Sequence, residues 1–288
     1  MKELNKEQTK KLKKTVLILW IFNILAILYL SPRYFYYINA VYFLSVGEGD
    51  SELIKYNGKN ILIDAGPDRQ ILSSLNQFLT PGEKLDLAII THSNKDHYQG
   101  LLYILETYQI TSVLMPEVSN PDSSYQELLD ALVSEGTKLY LAKADSLIRL
   151  SATNSLQVLW PLTSNIDSNS DFNAQALVIL YKNLDKNFLF TSDIGSKEES
   201  KILTLYPNLE TDVLKISHHG SKTSNSFNWL EKLNPTYGVI EVGTNSYGHP
   251  SPETLNRLRE LNILVLRTDK SGNITFQFNK EGSLSLSY

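Results

Sequence analysis

Short apolar runs recur along most of the chain, and their spacing changes between the two-residue period of strands and the longer period of helices. Asn57-Gly58 joins two strand-like runs and is typical of a hairpin turn. Helix-like runs follow several strands, which favours a mixed α/β architecture. No segment rich in Pro, Gly or Ser divides residues 38–288, so we predict one domain there. The predicted strands are 38–46, 51–56, 60–63, 85–90, 113–115, 138–142, 156–162, 176–181, 187–191, 212–216, 237–242 and 274–278, and the predicted helices are 71–79, 99–108, 125–135, 197–206 and 252–261.

The N-terminus differs from the rest of the chain. Residues 2–14 carry six lysines against two glutamates, and an almost wholly apolar run, 15–30, follows. At 1.5 Å per residue this run reaches about 24 Å, and extension to residue 37 would span the hydrocarbon core of a membrane. We predict a basic cytoplasmic leader (1–14), a transmembrane anchor (15–37) and a domain (38–288) outside the cell membrane, because lysines favour the cytoplasmic side. A cleaved signal peptide and a buried core helix are the alternatives.

Composition narrows the chemistry. The chain has 288 residues and is 42% hydrophobic, which is typical of a globular protein. It contains no cysteine, and this excludes thiolate ligands, a cysteine nucleophile and disulfides. The formal net charge of −4 argues against nucleic-acid binding driven by total charge, whereas a nuclease needs only a local excess of cations.

The most informative stretch lies at the C-terminal end of the apolar run 85–90 and reads Thr91-His92-Ser93-Asn94-Lys95-Asp96-His97. It places two imidazoles and a carboxylate within a few residues of each other. Imidazole together with carboxylate suits zinc, and also manganese or iron. We therefore predict metal ligands at the end of a buried strand.

All five histidines of the chain lie just beyond predicted strands. His218 and His219 follow strand 212–216, and His249 follows strand 237–242. Asp64 and Asp193 close two further strands, although Asp193 could instead cap the next helix. If these strands share one sheet direction, their C-terminal ends converge on one edge, where ligand sites of α/β folds gather. We therefore expect a metal centre with a bridging aspartate.

In combination, these motifs resemble the C-terminal hydrolase domain of ComEC-type DNA-uptake proteins, which has the metallo-β-lactamase fold. The resemblance extends from residue 38 to about residue 280, and its most specific part is His-His-Gly-Ser followed by Gly-His-Pro. It implies an αββα sandwich with metals in the cleft between the edges of the two sheets. The matching stretches, in family order, are 43–50, 61–66, 91–97, 190–194, 212–221 and 245–250.

The resemblance also implies roles for single residues. Asp96 and His249 are the expected catalytic residues, with Asp96 both a metal ligand and the proton acceptor. The expected metal ligands are His92, Asp96, His97, Asp193, His218 and His219. The residues expected to support these ligands or to contact substrate are Asp50, Asp64, Asn94, Asn173, Ser221 and Lys222.

The chain departs from the family pattern at the metal motifs. Asn94 stands where the superfamily has a histidine and the ComEC group an aspartate, and Ala176 replaces a serine. We therefore expect one tightly bound zinc or manganese ion, held by Asp96, His97, Asp193 and one of His218 and His219. A second, weaker ion would use His92, Asn94 and Asp193.

The resemblance implies metal-assisted hydrolysis of a phosphodiester in nucleic acid, with single-stranded DNA as the first candidate. A hydrolase of another cell-envelope phosphodiester, of the teichoic-acid type, is one alternative. A degenerate binding module of a DNA-uptake complex is the other, because Asn94 and Ala176 replace usual motif residues. The many-helix channel of uptake proteins is not in this sequence, so either a separate channel protein is the partner or the chain works independently of uptake.

Overall fold

The computed structural model describes residues 6–36, 39–117, 120–162, 171–279 and 282–288, and the chain divides into two units, Met1–Ile38 and Asn39–Tyr288. The first unit contains helix α1 (Lys6–Tyr36). The helices of the second unit are α2 (Gln70–Leu75), α3 (Lys95–Tyr98), α4 (Gly100–Ile104), α5 (Ser123–Ser134), α6 (Ser196–Leu205), α7 (Phe227–Leu233), α8 (Pro252–Glu260) and α9 (Thr268–Ser271). Its strands are β1 (Ala40–Phe43), β2 (Glu52–Tyr56), β3 (Lys59–Ile63), β4 (Lys84–Leu85), β5 (Leu87–Ile89), β6 (Gln109–Ile110), β7 (Ser112–Pro116), β8 (Lys138–Ala142), β9 (Leu147–Arg149), β10 (Asn154–Trp160), β11 (Val178–Asn183), β12 (Lys186–Phe190), β13 (Val213–Lys215), β14 (Tyr237–Ile240), β15 (Leu264–Arg267), β16 (Ile274–Phe278) and β17 (Leu284–Ser287).

The strands form two large sheets and one short pair. The first sheet has the order β17-β16-β1-β2-β3-β5-β7-β8, the second has the order β15-β14-β13-β12-β11-β10-β9, and β4 pairs with β6. Strands β3, β5, β7 and β8 run parallel in the first sheet, as do β12 to β15 in the second. The hairpin predicted at Asn57-Gly58 joins β2 and β3. The prediction of a mixed α/β fold is confirmed.

Alternate side chains of the strands fill the space between the two sheets, as the two-residue period of a strand requires. Phe43 of β1 meets Phe190 of β12 across this space, with ring centroids 5.9 Å apart. On the far side of the second sheet, Leu189 packs in a core that includes Trp229 of α7. On the far side of the first sheet, the Tyr42 ring lies 4.1 Å from Phe78, just after α2. The layers are therefore helices, sheet, sheet and helices.

The parallel strands of both sheets end at the same edge of this sandwich. Asp64 follows β3 and the 91–97 motif follows β5, both in the first sheet, whereas Asp193 and His219 follow strands of the second. Thr91 and the second sheet are joined directly, because the backbone N–H of Leu177 donates to the Thr91 carbonyl (2.9 Å). The predicted convergence of strand ends thus involves two facing sheets.

The N-terminal helix is described from residue 6 to residue 36. In the part of the chain covered by the structure, no helix is both long and apolar enough to cross a membrane. The predicted transmembrane anchor over 15–37 is therefore not supported by the structure. Residues 1–5 of the predicted leader and residue 37 of the predicted anchor lie outside the described residues.

Candidate metal centre

Four side chains from three segments meet at the shared edge of the sheets. Asp96, His97, Asp193 and His219 each offer one nitrogen or oxygen atom, and these four atoms lie within 4.8 Å of one another. Nε2 of His97 and Nε2 of His219 lie 3.4 and 3.6 Å from Asp193 Oδ2. Nε2 of His219 also lies 3.5 Å from Asp96 Oδ2. Tetrahedral ligation with bonds of about 2.0–2.2 Å separates ligand atoms by about 3.3–3.6 Å. The four atoms therefore have the spacing of a ligand shell.

The two imidazoles in this group are held through their other ring nitrogen. Nδ1 of His219 lies 2.9 Å from the backbone carbonyl oxygen of Glu241, and because that oxygen only accepts hydrogen bonds, Nδ1 must carry the proton. Nδ1 of His97 lies 2.7 Å from Asp64 Oδ2 and donates to it in the same way. Nε2 is then the nitrogen through which each ring can bind a metal once its proton is displaced, which is the arrangement usual for metal-ligating histidines.

Several inner atoms of the centre are buried without a well-aligned hydrogen bond to any described residue. They are Nε2 of His92, His97 and His219, together with Oδ1 of Asp193. Buried polar atoms are rarely left unpaired in folded proteins, because each costs free energy. Two imidazoles and two carboxylates are also a ligand set that zinc and manganese accept. The residues present therefore fit a divalent metal ion.

The pKa shifts of the side chains in the centre also fit a bound cation. Burial alone would raise the pKa of Asp193, but His219 and His97 lower it well below its usual value, so this carboxylate is ionised. Burial lowers the pKa of His219, but Asp193 and Asp50 outweigh it and raise the pKa to about 9. The pKa of His97 is likewise raised, against burial, by Asp193 and Asp96. In the metal-free protein these imidazoles thus carry positive charge that a divalent cation would replace.

The Asp64 carboxylate is fixed from two sides. Its Oδ1 accepts from the backbone N–H of Thr91 (2.8 Å), and its Oδ2 accepts from the Thr91 hydroxyl (2.6 Å). Since Oδ2 also contacts His97, the carboxylate sets the orientation of that ring. The sequence-based role of Asp64, holding a ligand histidine, matches this contact.

Both the sequence and the fold of the chain are similar to those of known proteins. The model of the metallo-beta-lactamase superfamily matches residues 45–127. The chain is 27% identical over 264 residues to ComE operon protein 3 of Bacillus subtilis, covering 84% of this chain and 34% of that protein. It is 28% identical over 241 residues to Recombination protein 2 of Haemophilus influenzae, covering 82% and 28%. The chain carries a metallo-β-lactamase domain of the ComEC type.

The chain spans about a third or less of the length of these two relatives. Among solved structures, it is similar to the metallo-beta-lactamase fold protein YhfI of Bacillus subtilis, with a TM-score of 0.54, 11% identity, and coverage of 81% of this chain and 98% of that one. At that identity the likeness concerns the fold. The predicted metallo-β-lactamase fold is thereby confirmed.

Two other predicted ligands of the metallo-β-lactamase domain lie beside the four-atom group. The His92 ring lies 4.0 Å from the His97 ring, and its Nδ1 lies 3.2 Å from the Ser192 hydroxyl. His218 Nε2 lies 3.8 Å from Asp193 Oδ2, and its side chain is 29% exposed. Burial lowers the pKa of both imidazoles. The structure therefore separates His219, which belongs to the four-atom group, from His218 at the rim.

The remaining predicted residues differ in their surroundings. His249 Nδ1 lies 3.1 Å from Glu48 Oε1, and the His249 ring lies 6.0 Å from the His219 ring. Nδ2 of Asn94, a predicted ligand of the second ion, donates (2.6 Å) to Oδ1 of Asn173, which was predicted to support the ligands or contact substrate. Ser221 Oγ lies 3.0 Å from the Thr223 hydroxyl, and Lys222 is exposed. Their roles as phosphate contacts stay predictions.

Sequence reasoning missed a charged network behind the centre. Lys215, only 1% exposed, places Nζ 2.6 Å from Oδ2 of Asp50 and donates to the Ser192 carbonyl (3.1 Å). Two buried glutamates, Glu52 and Glu241, belong to the same network, and burial raises the pKa of each. A lysine that ends the buried run 213–215 was the available signal. Asp50, Asp64 and His97 also lie close enough to hold a cation, but the Lys215 ammonium already pairs with Asp50.

A glycine allows the Asp50 segment to reach the centre. The backbone N–H of Asp50 lies 3.3 Å from the carbonyl oxygen of Asp96, so the two segments are in contact. Gly49 adopts a φ of 159°, and a Cβ at this position would collide with the same carbonyl oxygen. This close approach explains the glycine that precedes Asp50.

Proposed function

We propose that this metallo-β-lactamase domain hydrolyses phosphodiester bonds of nucleic acid, with single-stranded DNA as the first candidate. The observation that carries the proposal is the group formed by Asp96, His97, Asp193 and His219, which offers four ligand atoms within 4.8 Å of one another. Nε2 of His97, Nε2 of His219 and Oδ1 of Asp193 are buried there without a hydrogen-bond partner among the described residues. The chemistry that a bound divalent ion supplies is neutralisation of charge on the phosphoryl group and activation of water.

The protein's own groups then position and move protons. Asp96 is the most open of the four, with 36% of its side chain exposed, and the neighbouring His97 holds its pKa low against burial. Its carboxylate is therefore ionised and can accept a hydrogen bond from the attacking water. Because the low pKa makes Asp96 a weak base, its role as proton acceptor would depend on the acidity that a bound divalent ion gives to that water. His249, whose Nδ1 lies 3.1 Å from Glu48 Oε1, is the proposed proton donor to the leaving oxygen. Asp64 and the Glu241 carbonyl keep His97 and His219 turned toward the centre.

Two observations support nucleic acid as the substrate. One relative carries the name recombination protein, and the motifs resemble those of DNA-uptake proteins. The total charge of −4 does not argue against this substrate, because binding needs only a local excess of cations. Lys222, which follows the His218-His219 segment, is exposed, whereas Lys95 Nζ lies 3.2 Å from Asp122 Oδ2. A polymer of the teichoic-acid type offers the same phosphodiester without bases and is the alternative substrate.

The experiment is hydrolysis by the purified full chain loaded with manganese or zinc. A single-stranded oligonucleotide and a glycerol-phosphate polymer serve as parallel substrates, and Asp193→Asn is the ligand variant. We expect cleavage of the oligonucleotide by the wild type and at least a 100-fold loss in the variant. Cleavage of the polymer alone would move the proposal to envelope substrates. A chain that binds no metal after loading, and hydrolyses neither substrate, would indicate the binding module, which is the alternative raised by Asn94 and Ala176 at the motif positions.

We also propose that residues 1–37 attach the domain to the cell membrane, with residues 38–288 outside and a separate channel protein as partner. The support is the lysine-rich leader, together with exposed apolar side chains in the described part of α1, such as Leu17 (60%), Trp20 (66%) and Phe22 (71%). Protease added to intact cells tests this location. Digestion of residues 38–288 is expected, and their full protection would refute it.

A further inference from the structure

The loop between β14 and α8 presents an aromatic ring at the rim of the metal centre. Tyr247 is 76% exposed, more than any other large apolar or aromatic side chain in the described part of the chain. Its ring stacks beside the His249 ring, with centroids 5.7 Å apart and an interplanar angle of 28°. So exposed a ring contributes little buried area to folding, so its place next to the centre needs another explanation.

The loop that carries this ring is held firmly by one side chain. Oδ1 of Asn245 accepts from the backbone N–H groups of Tyr247 (3.1 Å), Gly248 (3.0 Å) and His249 (3.0 Å). Nδ2 of Asn245 donates to the carbonyl oxygens of Gly243 and His249, both at 3.0 Å. The exposed ring therefore stands on a backbone fixed by five hydrogen bonds, which lowers the entropy cost of binding a partner on it.

From Tyr247 a row of rings leads to the metal ligands. The His249 ring lies 5.5 Å from the His218 ring, and His218 Nε2 lies 3.8 Å from Asp193 Oδ2. Both histidines are far less exposed than Tyr247, with 11% of the His249 side chain and 29% of the His218 side chain exposed. A planar group on Tyr247 would thus be separated from the histidines of the centre by the His249 ring, which lies 6.0 Å from the His219 ring.

We propose that Tyr247 stacks on a nucleobase next to the phosphodiester held at the metal centre. This inference rests on the proposed function and names the part of the substrate that the rim binds. Bases of single-stranded nucleic acid stack on exposed aromatic side chains of the proteins that bind them. The contact tolerates any base because each base has a π-face. A glycerol-phosphate polymer has no such face, so the ring favours nucleic acid over envelope polymers.

The test is binding of fluorescein-labelled 12-mers to the zinc-loaded full chain, read directly after mixing, with the strands checked on a gel afterwards to show that they are still intact. One strand is oligothymidylate, and the other has the same phosphodiester backbone with abasic sites throughout. We expect the wild type to prefer the strand with bases by about 5- to 150-fold. Tyr247→Ala should lose this preference, and Tyr247→Trp should keep it. Tyr288→Ala, which removes an equally open tyrosine (72% exposed) at the C-terminus, should behave like the wild type.

Equal binding of the two strands by the wild type, or an undiminished preference in Tyr247→Ala, would overturn the proposal. The proposed function is tested separately, by measuring manganese-dependent cleavage of the same two strands. Cleavage of both strands by the wild type and by Tyr247→Ala at equal rates would leave the hydrolase intact and remove the stacking role. A base preference without cleavage would support the stacking role and refute the hydrolase.

Discussion

Replacement of Lys215 by methionine perturbs the charged network behind the metal centre. Lys215 Nζ lies 2.6 Å from Asp50 Oδ2, and both side chains are 1% exposed. Methionine keeps a similar length without the charge, so the buried Asp50 carboxylate loses its shortest charged contact and keeps only the longer ones to His219 Nδ1 (3.4 Å) and His97 Nδ1 (3.6 Å). Although burial alone lowers the pKa of Lys215, the charges of Asp50 and Asp193 raise it above its usual value, so the ammonium is charged at neutral pH.

Removal of one partner from a buried ion pair costs about 3–5 kcal/mol. The neighbouring Glu241 also depends on Lys215. Burial and the Asp50 charge raise the pKa of Glu241 to about 8, although the Lys215 charge lowers it. Without Lys215, proton uptake by the network relieves part of the cost at neutral pH. We therefore expect a loss of about 3 kcal/mol in the free energy of unfolding, or about 6–12 °C in Tm for a domain of this size.

The assay is urea unfolding of the metal-free full chain in EDTA, followed by circular dichroism. Lys186→Met is the matched control, because Lys186 lies 3.1 Å from Asp212 with both side chains 28% exposed. A half-open pair of this kind contributes at most about 1 kcal/mol. A loss in Lys215→Met no larger than that of the control would refute the reasoning.

Three further changes test the centre itself. Asp64→Asn weakens the hold on His97 Nδ1, and we expect calorimetry to show a 10- to 100-fold loss of metal affinity, whereas an unchanged affinity would argue against this role. Asn94→His replaces the amide that contacts Asn173 with an imidazole, a better metal ligand. Elemental analysis should then find more than one ion per chain, and a count that stays at one would contradict the predicted second site. Metal affinity should rise with pH up to about 9, because the raised pKa of His219 means that metal must displace a proton, and competition titrations that show no pH dependence would contradict this. The same proton stabilises the metal-free fold fully below about pH 6.5 and is lost as the pH rises through about 9.

That Asp96, His97, Asp193 and His219 lie together could be predicted because their chemistry and their position along the chain agree. Asp96, His97, Asp193 and His219 are all metal-binding types placed just after apolar runs, and parallel strands bring such positions to one edge. The choice between His218 and His219 could not be made from the sequence. It depends on left-handed backbone at both residues (φ 52° and 51°), which turns adjacent side chains in different directions.

The apolar pattern alone could not predict which strands belong to which of the two sheets. Runs such as 60–63 and 187–191 look alike in the sequence, yet β3 and β12 lie in different sheets, because strand neighbours are set by tertiary packing. The short helix α7 (Phe227–Leu233) was not predicted either, since one buried tryptophan and two leucines in seven residues give too little period to recognise.

The buried charges were missed for a related reason. Lys215 sits among apolar residues of β13, and its partner Asp50 comes from a loop of the other sheet. A lysine in an apolar run is usually an edge or surface residue, so only the three-dimensional structure reveals the ion pair.

Elemental analysis of the full chain tests most directly whether one divalent ion is bound by Asp96, His97, Asp193 and His219. The wild type and its Asp193→Asn variant are loaded with zinc or manganese and then dialysed. We expect one tightly bound ion per wild-type chain and at most a small residue in the variant. A wild-type chain that retains no ion, or a variant that retains as much as the wild type, would contradict the existence of this metal centre.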